Sequence, residues 1–269
     1  MNNEAKQILL TNDDGILSPG LWAAAGILAE LGYVTVVAPR EQYSGAGRSL
    51  PTTSDGIIET RQVQVNGNQW KVFAVGGSPA QAVLHGALEI LPKKPDLVVS
   101  GINFGDNLGT GITISGTVGA ALEAAGLGIP ALAISLETLI EDHYSLSDQV
   151  DFSTAAHFTR LFAGVLLEHP MPADVDVLKV DVPLEASVDT PWETTRISRV
   201  RLFEATKPER HSWGEPGRIG YRFAPNWTGA EPGTDIHSVR INKHVSVTPL
   251  SLDLTSRLNL EDFDSSLRE

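Results

Sequence analysis

From Gln7 to Pro183 the sequence alternates short apolar runs with stretches of helical character, and this alternation constrains the fold more than any other feature. QILLTN, from Gln7, is a compact apolar run ending in polar residues and predicts a buried strand. Ser18-Pro19 then opens a helix, with Ser as N-cap and Pro at the first helical position; LWAAAGILAEL continues it and Gly32 closes it. YVTVVAP, from Tyr33, is rich in β-branched residues and predicts a second strand. IIETRQVQV and WKVFAV flank Asn66-Gly67-Asn68, a β-hairpin pattern. The alternation resumes with a helix from Ser78-Pro79 through AQAVLHGALEIL and a strand over DLVVSGIN. Next come a small-residue helix VGAALEAAG capped by Ser115-Gly116-Thr117, a strand over IPALAISL, a helix from about Ser147 to His169, and a strand over VDVLKVDVP. Strands that alternate with helices imply an α/β fold with a mostly parallel sheet covered on both faces.

The pattern changes after Pro183. Residues 190–234 carry Arg, Trp, Gly and Pro with no sustained helical period; HVSVTPLSLDLT, from His244, alternates as a strand does, and the acidic tail NLEDFDSSL suits a short helix. The chain therefore divides into a core over 1–183 and a β-rich arm with a tail over 184–269. An arm of this kind buries its apolar face poorly alone, so it is expected to pack on the core and on a partner subunit. With 269 residues, 42% of them hydrophobic, the chain is long and apolar enough for a sizeable core. Its net charge of −13 argues against nucleic-acid polymers as partners. The absence of cysteine excludes disulfides, thiolate nucleophiles and Cys-ligated metals. MNNEAKQILL lacks the apolar stretch of a signal peptide and no segment has membrane-spanning length, so a cytoplasmic protein without membrane attachment is expected.

In an open α/β sheet, ligands bind beyond the carboxyl ends of the strands. The polar groups placed there are Asn12-Asp13-Asp14-Gly15 after the first strand, Ser44, Gly45 and Arg48 after the second, Asn103 and the Gly- and Asn-rich GINFGDNLGTG after DLVVS, and then Ser115-Gly116-Thr117. Asp-Asp-Gly alone suits a tight turn. Adjacent carboxylates at a strand end repel unless something neutralises them, and a divalent cation does so. Asp13, Asp14, the Ser44 hydroxyl and the Asn103 amide form an all-oxygen set, which favours Mg²⁺, Mn²⁺ or Ca²⁺ over Zn²⁺. Ser115-Gly116-Thr117 at a helix start suits a phosphate as well as a plain N-cap; the preceding Gly-rich loop favours the phosphate.

Other chemistries lack their signatures. There is no G-x-x-x-x-G-K-[ST] loop, no G-x-G-x-x-G after the first strand, no G-x-S-x-G and no H-E-x-x-H. His85 and His157 fall within helices, His237 and His244 in the arm, and Trp192, Trp213 and Trp227 suit packing of that arm.

ILLTNDDGILSPG, APREQYSGAGRSL, VSGINFGDNLG, ISGTVGAALEAAGLGIPALAIS and VSVTPLSLDLT, in that order, resemble the SurE family, the survival-protein 5′/3′-nucleotidases. The resemblance runs from the first strand to about Thr255. It implies a Rossmann-like core, a divalent-metal-dependent phosphomonoesterase acting on nucleoside monophosphates, and a dimer or tetramer with exchanged C-terminal elements. It also implies one Mg²⁺ or Mn²⁺ per subunit on Asp13, Asp14, Ser44 and Asn103. Ser115, Gly116 and Thr117 would then hold phosphate oxygens, with Asn107 and Asn12 as nearby donors or positioners. Asp13 is the better choice than Asp14 to orient or deprotonate the water. The chain departs from the family pattern at Gly77-Ser78-Pro79-Ala80-Gln81-Ala82, where Gly-Thr-Pro-Ala-Asp-Cys is usual, at Ile114 in place of an aromatic, and at Asp181 in place of Asn. Two other readings are an aspartyl-phosphate phosphatase, disfavoured because its carboxylates are spaced Asp-x-Asp, and a nucleotide-binding module without turnover, disfavoured by the full oxygen set.

Overall fold

A computed structural model describes residues 5–65, 67–143, 147 and 149–268. Its core runs β1 (Gln7–Thr11), α1 (Pro19–Leu28), β2 (Tyr33–Pro39), β3 (Ile58–Val65), β4 (Asn68–Val75), α2 (Pro79–His85), β5 (Leu97–Phe104), α3 (Gly116–Gly126), β6 (Ala131–Leu136), α4 (Ser153–Glu168) and β7 (Val177–Val182). The C-terminal part adds β8 (Trp192–Thr194), β9 (Phe203–Thr206), β10 (Gly220–Phe223), β11 (Val245–Leu250) and α5 (Leu260–Leu267).

Nine strands form one sheet in the order β3-β4-β2-β1-β5-β6-β7-β11-β8. The run from β4 to β7 is parallel; β3 is antiparallel to β4, and β11 is antiparallel to β7. Every residue of β5, β6 and β7 is buried, as continuous apolar strands covered on both faces must be, whereas β3 at the edge alternates between half-buried and exposed. Helices α1 and α4 cover one face, with Leu21, Ala24, Leu28, Phe158 and Phe162 packed on it; α2 and α3 cover the other through Ala82, Val83, Val118, Ala121 and Ala124. From β1 the chain steps to β2 on one side and later returns as β5 on the other, so the sheet order reverses at the β1/β5 boundary. A crevice opens at such a switch point.

Several boundaries differ from expectation. The α4 helix begins at Ser153, whose N–H is accepted by the Asp151 carboxylate at 2.8 Å, while the N-cap Phe152 makes no side-chain cap bond. Helix α1 ends by Ala29, and Gly32 serves a close approach instead, since a Cβ there would lie 2.4 Å from the Lys6 carbonyl oxygen. Ser18 precedes α1 without a side-chain cap bond. The β3–β4 hairpin forms with Gly67 at φ +80°; Asn66 of the expected turn lies outside the described residues. The strand from His244 does not stand apart: β11 inserts between β7 and β8 in the main sheet. Among the described residues only β9 and β10 form a separate ribbon, near a small cluster of Leu108, Leu202, Ile236 and Val239.

Candidate active site

Residues 12–15 turn sharply at the end of β1. The Asn12 side chain holds the turn from inside: its amide donates to the Gly15 carbonyl at 3.0 Å and its oxygen accepts the Gly15 N–H at 3.2 Å. Gly15 takes φ +96°. The Ile16 N–H bonds the Pro39 carbonyl at 2.9 Å and the Tyr43 N–H bonds the Asp13 carbonyl at 2.7 Å, so the loop after β2 is stitched beside Asp13. Further along that loop, the Gly47 N–H reaches the Ile114 carbonyl at 3.0 Å, which brings Ser44 and the start of α3 to the same edge.

Asn103 arrives by a bulge. Ser100 pairs with Ala133 and Asn103 with Ser135, so β5 carries one residue more than β6 across this interval. Gly101 occupies it at φ +130°, where a Cβ would meet the Ile134 carbonyl oxygen at 2.3 Å. The Asn103 amide nitrogen donates to the Phe104 and Gly105 carbonyls at 3.2 and 2.8 Å, which turns its Oδ1 away from them.

Both carboxylates are almost fully buried. Asp13 Oδ1 accepts the Thr117 hydroxyl at 2.5 Å, and Gly116 lies so close that a Cβ there would sit 2.7 Å from Asp13 Oδ2. Asp14 accepts the Phe104 N–H at 3.1 Å and the Gln42 amide at 3.3 Å, while Gln42 also donates to the His143 carbonyl at 2.9 Å. Among the described residues no Lys, Arg or His forms an ion pair with either carboxylate. Burial raises the pKa of Asp13; burial and then the charge of Asp13 raise that of Asp14 well above the usual range. A buried, anionic, all-oxygen set without a protein cation suits a hard divalent ion.

Asp13, Ser44, Asn103, Asn107 and Ser115 line one cleft of ≈ 350 Å³. The cleft also has an aromatic wall: Phe203 and Tyr221 from the β9–β10 ribbon, with His143 stacked on Tyr221 and bonded to its hydroxyl at 2.8 Å. Asp14, Asn12, Gly116 and Thr117 stand behind this surface. The Ser115 hydroxyl caps α3 by accepting the Val118 N–H at 3.1 Å, so Ser115 is both N-cap and cleft residue. Gly105–Leu108 form the cleft's rim, with the buried Asp106 carboxylate paired to Arg240.

The chain as a whole is similar to known proteins. The profile of the family described as Survival protein SurE matches residues 8–213. The chain belongs to the SurE family. The 5′-nucleotidase SurE of Thermococcus gammatolerans is 41% identical over 97% of this chain and 96% of its own length. That of Archaeoglobus fulgidus is 44% identical over 95% of each. The crystal structure of a SurE protein from Aquifex aeolicus superposes with a TM-score of 0.73 at 34% identity, covering 98% of this chain and all of that one.

Motif reading did not find Gln42, the aromatic wall, or the ion pairs beneath the rim. Gln42 sits within the APREQYSGAGRSL block, and its polar amide next to a predicted strand end was a usable signal. Phe203 and Tyr221 carry no local signal, because the ribbon reaches the cleft only through tertiary packing. Among the described residues no helix is long and apolar enough to cross a membrane.

Proposed function

We infer that this SurE-family chain is a 5′-nucleotidase: it hydrolyses nucleoside 5′-monophosphates, and on the same cleft 3′-monophosphates, to nucleoside and phosphate. The observation that carries this is that Asp13, Ser44, Asn103, Asn107 and Ser115 share one cleft with Phe203 and Tyr221. The polar side chains suit a phosphate and the aromatic ones suit a stacked base.

Asp13, Asp14, Ser44 and Asn103 are the residues that would hold one Mg²⁺ or Mn²⁺. Such an ion supplies Lewis-acid stabilisation of phosphate charge and a more acidic water. Asn107 and the Ser115–Thr117 turn at the N-terminus of α3 orient the phosphate oxygens, with the positive end of the helix dipole behind them. Thr117 fixes Asp13 by donating to its Oδ1, and Asp13 is the carboxylate that would orient the attacking water or accept its proton. Asn12 acts at one remove, by holding the turn that presents Asp13. Phosphate release from AMP and GMP with Mn²⁺ or Mg²⁺ tests the assignment. Full activity in EDTA, or near-normal turnover by Asp13→Asn, refutes it.

Residues 1–183 serve as the catalytic core in this reading, and 184–269 as an arm that completes the sheet and meets a second subunit. Leu254, Leu260, Phe263 and Leu267 of the tail are exposed and α5 buries nothing, which supports a homodimer or tetramer through this segment. Sedimentation analysis checks it: a monomer at micromolar concentration removes the oligomer.

A further inference from the structure

Beneath the rim of the cleft lies a charged cluster with no solvent contact. Lys179, in the middle of β7, is fully buried, as are Asp181 two residues on and Asp235. The period of a strand puts Lys179 and Asp181 on one face. The Lys179 ammonium has three N–H groups and three oxygen partners: Asp181 Oδ2, Asp235 Oδ2 at 3.4 Å, and the backbone carbonyl of Asn107 at 2.9 Å. Burial works against the ammonium, but the two carboxylates outweigh it and raise its pKa, so it stays charged.

Asp181's second oxygen and the Lys179-facing oxygen of Asp235 also grip this loop, while Asp235 Oδ1 accepts the Ser198 and Ile236 N–H groups at 2.9 Å each. Asp181 Oδ1 accepts the Asn107 N–H at 2.7 Å, and Asp235 Oδ2 accepts the Gly109 N–H at 2.9 Å. Both backbone polar groups of Asn107 are therefore gripped by one ion pair. Its side-chain amide donates one N–H to the Ser135 hydroxyl at 2.9 Å, which fixes the amide plane and leaves a second N–H for the cleft. A buried ion pair contributes little net stability compared with apolar packing of the same volume. It does define position, because each partner is costly to displace.

We propose that Lys179 and Asp181 are positioning residues for catalysis, which act through Asn107 by clamping its N–H and C=O so that its side-chain amide meets a phosphate oxygen. The proposal rests on the nucleotidase reading of the cleft. It is distinct from that reading because it concerns residues that touch no substrate.

A double-mutant cycle between Lys179 and Asn107 tests it. Lys179→Met removes the clamp but leaves two carboxylates buried; Lys179→Gln/Asp181→Asn removes both charges together, keeps the cluster's net charge and leaves only Asp235 without a cation, so it is the milder second variant. Each is combined with Asn107→Ala. In the wild-type background both clamp variants lower kcat/KM for AMP by about tenfold to a hundredfold, the loss of one hydrogen bond to a charged group. In the Asn107→Ala background the same changes cost less than about twofold. The inhibition constant of inorganic phosphate follows the same pattern, while the melting temperature falls equally in both backgrounds. Additive losses overturn the proposal, because Lys179 then affects activity by a route that does not pass through Asn107. If the wild type releases no phosphate from any nucleoside monophosphate, the nucleotidase reading fails instead; calorimetric binding of inorganic phosphate to the same variants still decides the coupling between Lys179 and Asn107.

Discussion

Replacing Gly116 by alanine separates the demands of the helix from those of the site. Gly116 is the first residue of α3, and its φ is not in the left-handed region, so the backbone does not require glycine there. Helix propensity alone makes Gly116→Ala stabilising, by up to about 1 kcal/mol. The side-chain space says otherwise. The new Cβ would lie 2.7 Å from both Cβ and Oδ2 of Asp13 and 3.0 Å from its Cγ. Carbon contacts are comfortable near about 3.5–4.0 Å, so roughly 1 Å must be recovered. Asp13 has no slack to supply it, since its carbonyl is held by the Tyr43 N–H at 2.7 Å and its carboxylate by Thr117 at 2.5 Å. The carboxylate must swing off its station. A displacement of about 1 Å at a reacting group costs on the order of a hundredfold in rate. Gly116→Ala is therefore expected to keep its melting temperature within about 3 °C of wild type and to lose about a hundredfold in kcat/KM for AMP with Mn²⁺. A variant that keeps more than about a third of wild-type kcat/KM while remaining folded would show that Asp13 is not held in place for chemistry.

Three further outcomes are expected. Protons and a cation compete for the Asp13–Asp14 pair, whose pKa values are raised by burial, so Mn²⁺ should raise the melting temperature more at about pH 8 than at about pH 5, and EDTA should reverse it; a pH-independent rise would place the ion elsewhere. Asp106, in the rim of the cleft, has its pKa raised from 3.8 to about 6, chiefly by burial. A carboxyl whose folded pKa lies above its unfolded one gives stability that is full below about pH 4 and is lost as pH rises through about 6. The stability difference between Asp106→Asn and wild type should accordingly move by about 3 kcal/mol in the variant's favour from about pH 4 to pH 7 in guanidinium titrations, and a flat difference would refute it. Gly101→Ala places a Cβ 2.3 Å from the Ile134 carbonyl at φ +130°, so its urea midpoint should fall by the equivalent of at least about 2 kcal/mol; an unchanged midpoint would mean the bulge at Asn103 tolerates a side chain.

What sequence alone makes visible here depends on how far apart the interacting residues lie. Asp13, Ser44 and Asn103 are far apart along the chain, yet their common location was readable, because parallel strands deliver every carboxyl end to one edge and each local signal then points to the same place. The order of strands was not readable: nothing in VSVTPLSLDLT says that β11 will enter antiparallel beside β7 and carry β8 with it. Partnerships without a local pattern were also hidden. Gln42 finds His143 across 101 residues, and Asp235 finds Gly109 across 126. Lys179 is the instructive case. A lysine in an otherwise apolar run that must be buried on both faces needs a buried anion, and the residue two positions on is Asp181. That much follows from strand period and the cost of an unpaired charge. What the pair holds does not: the Asn107 backbone lies 72 residues from Lys179, and only the crossing of β7 under the rim of the cleft joins them. The polar residues at the strand ends announce chemistry, and the charges inside the strands announce what keeps those ends in place.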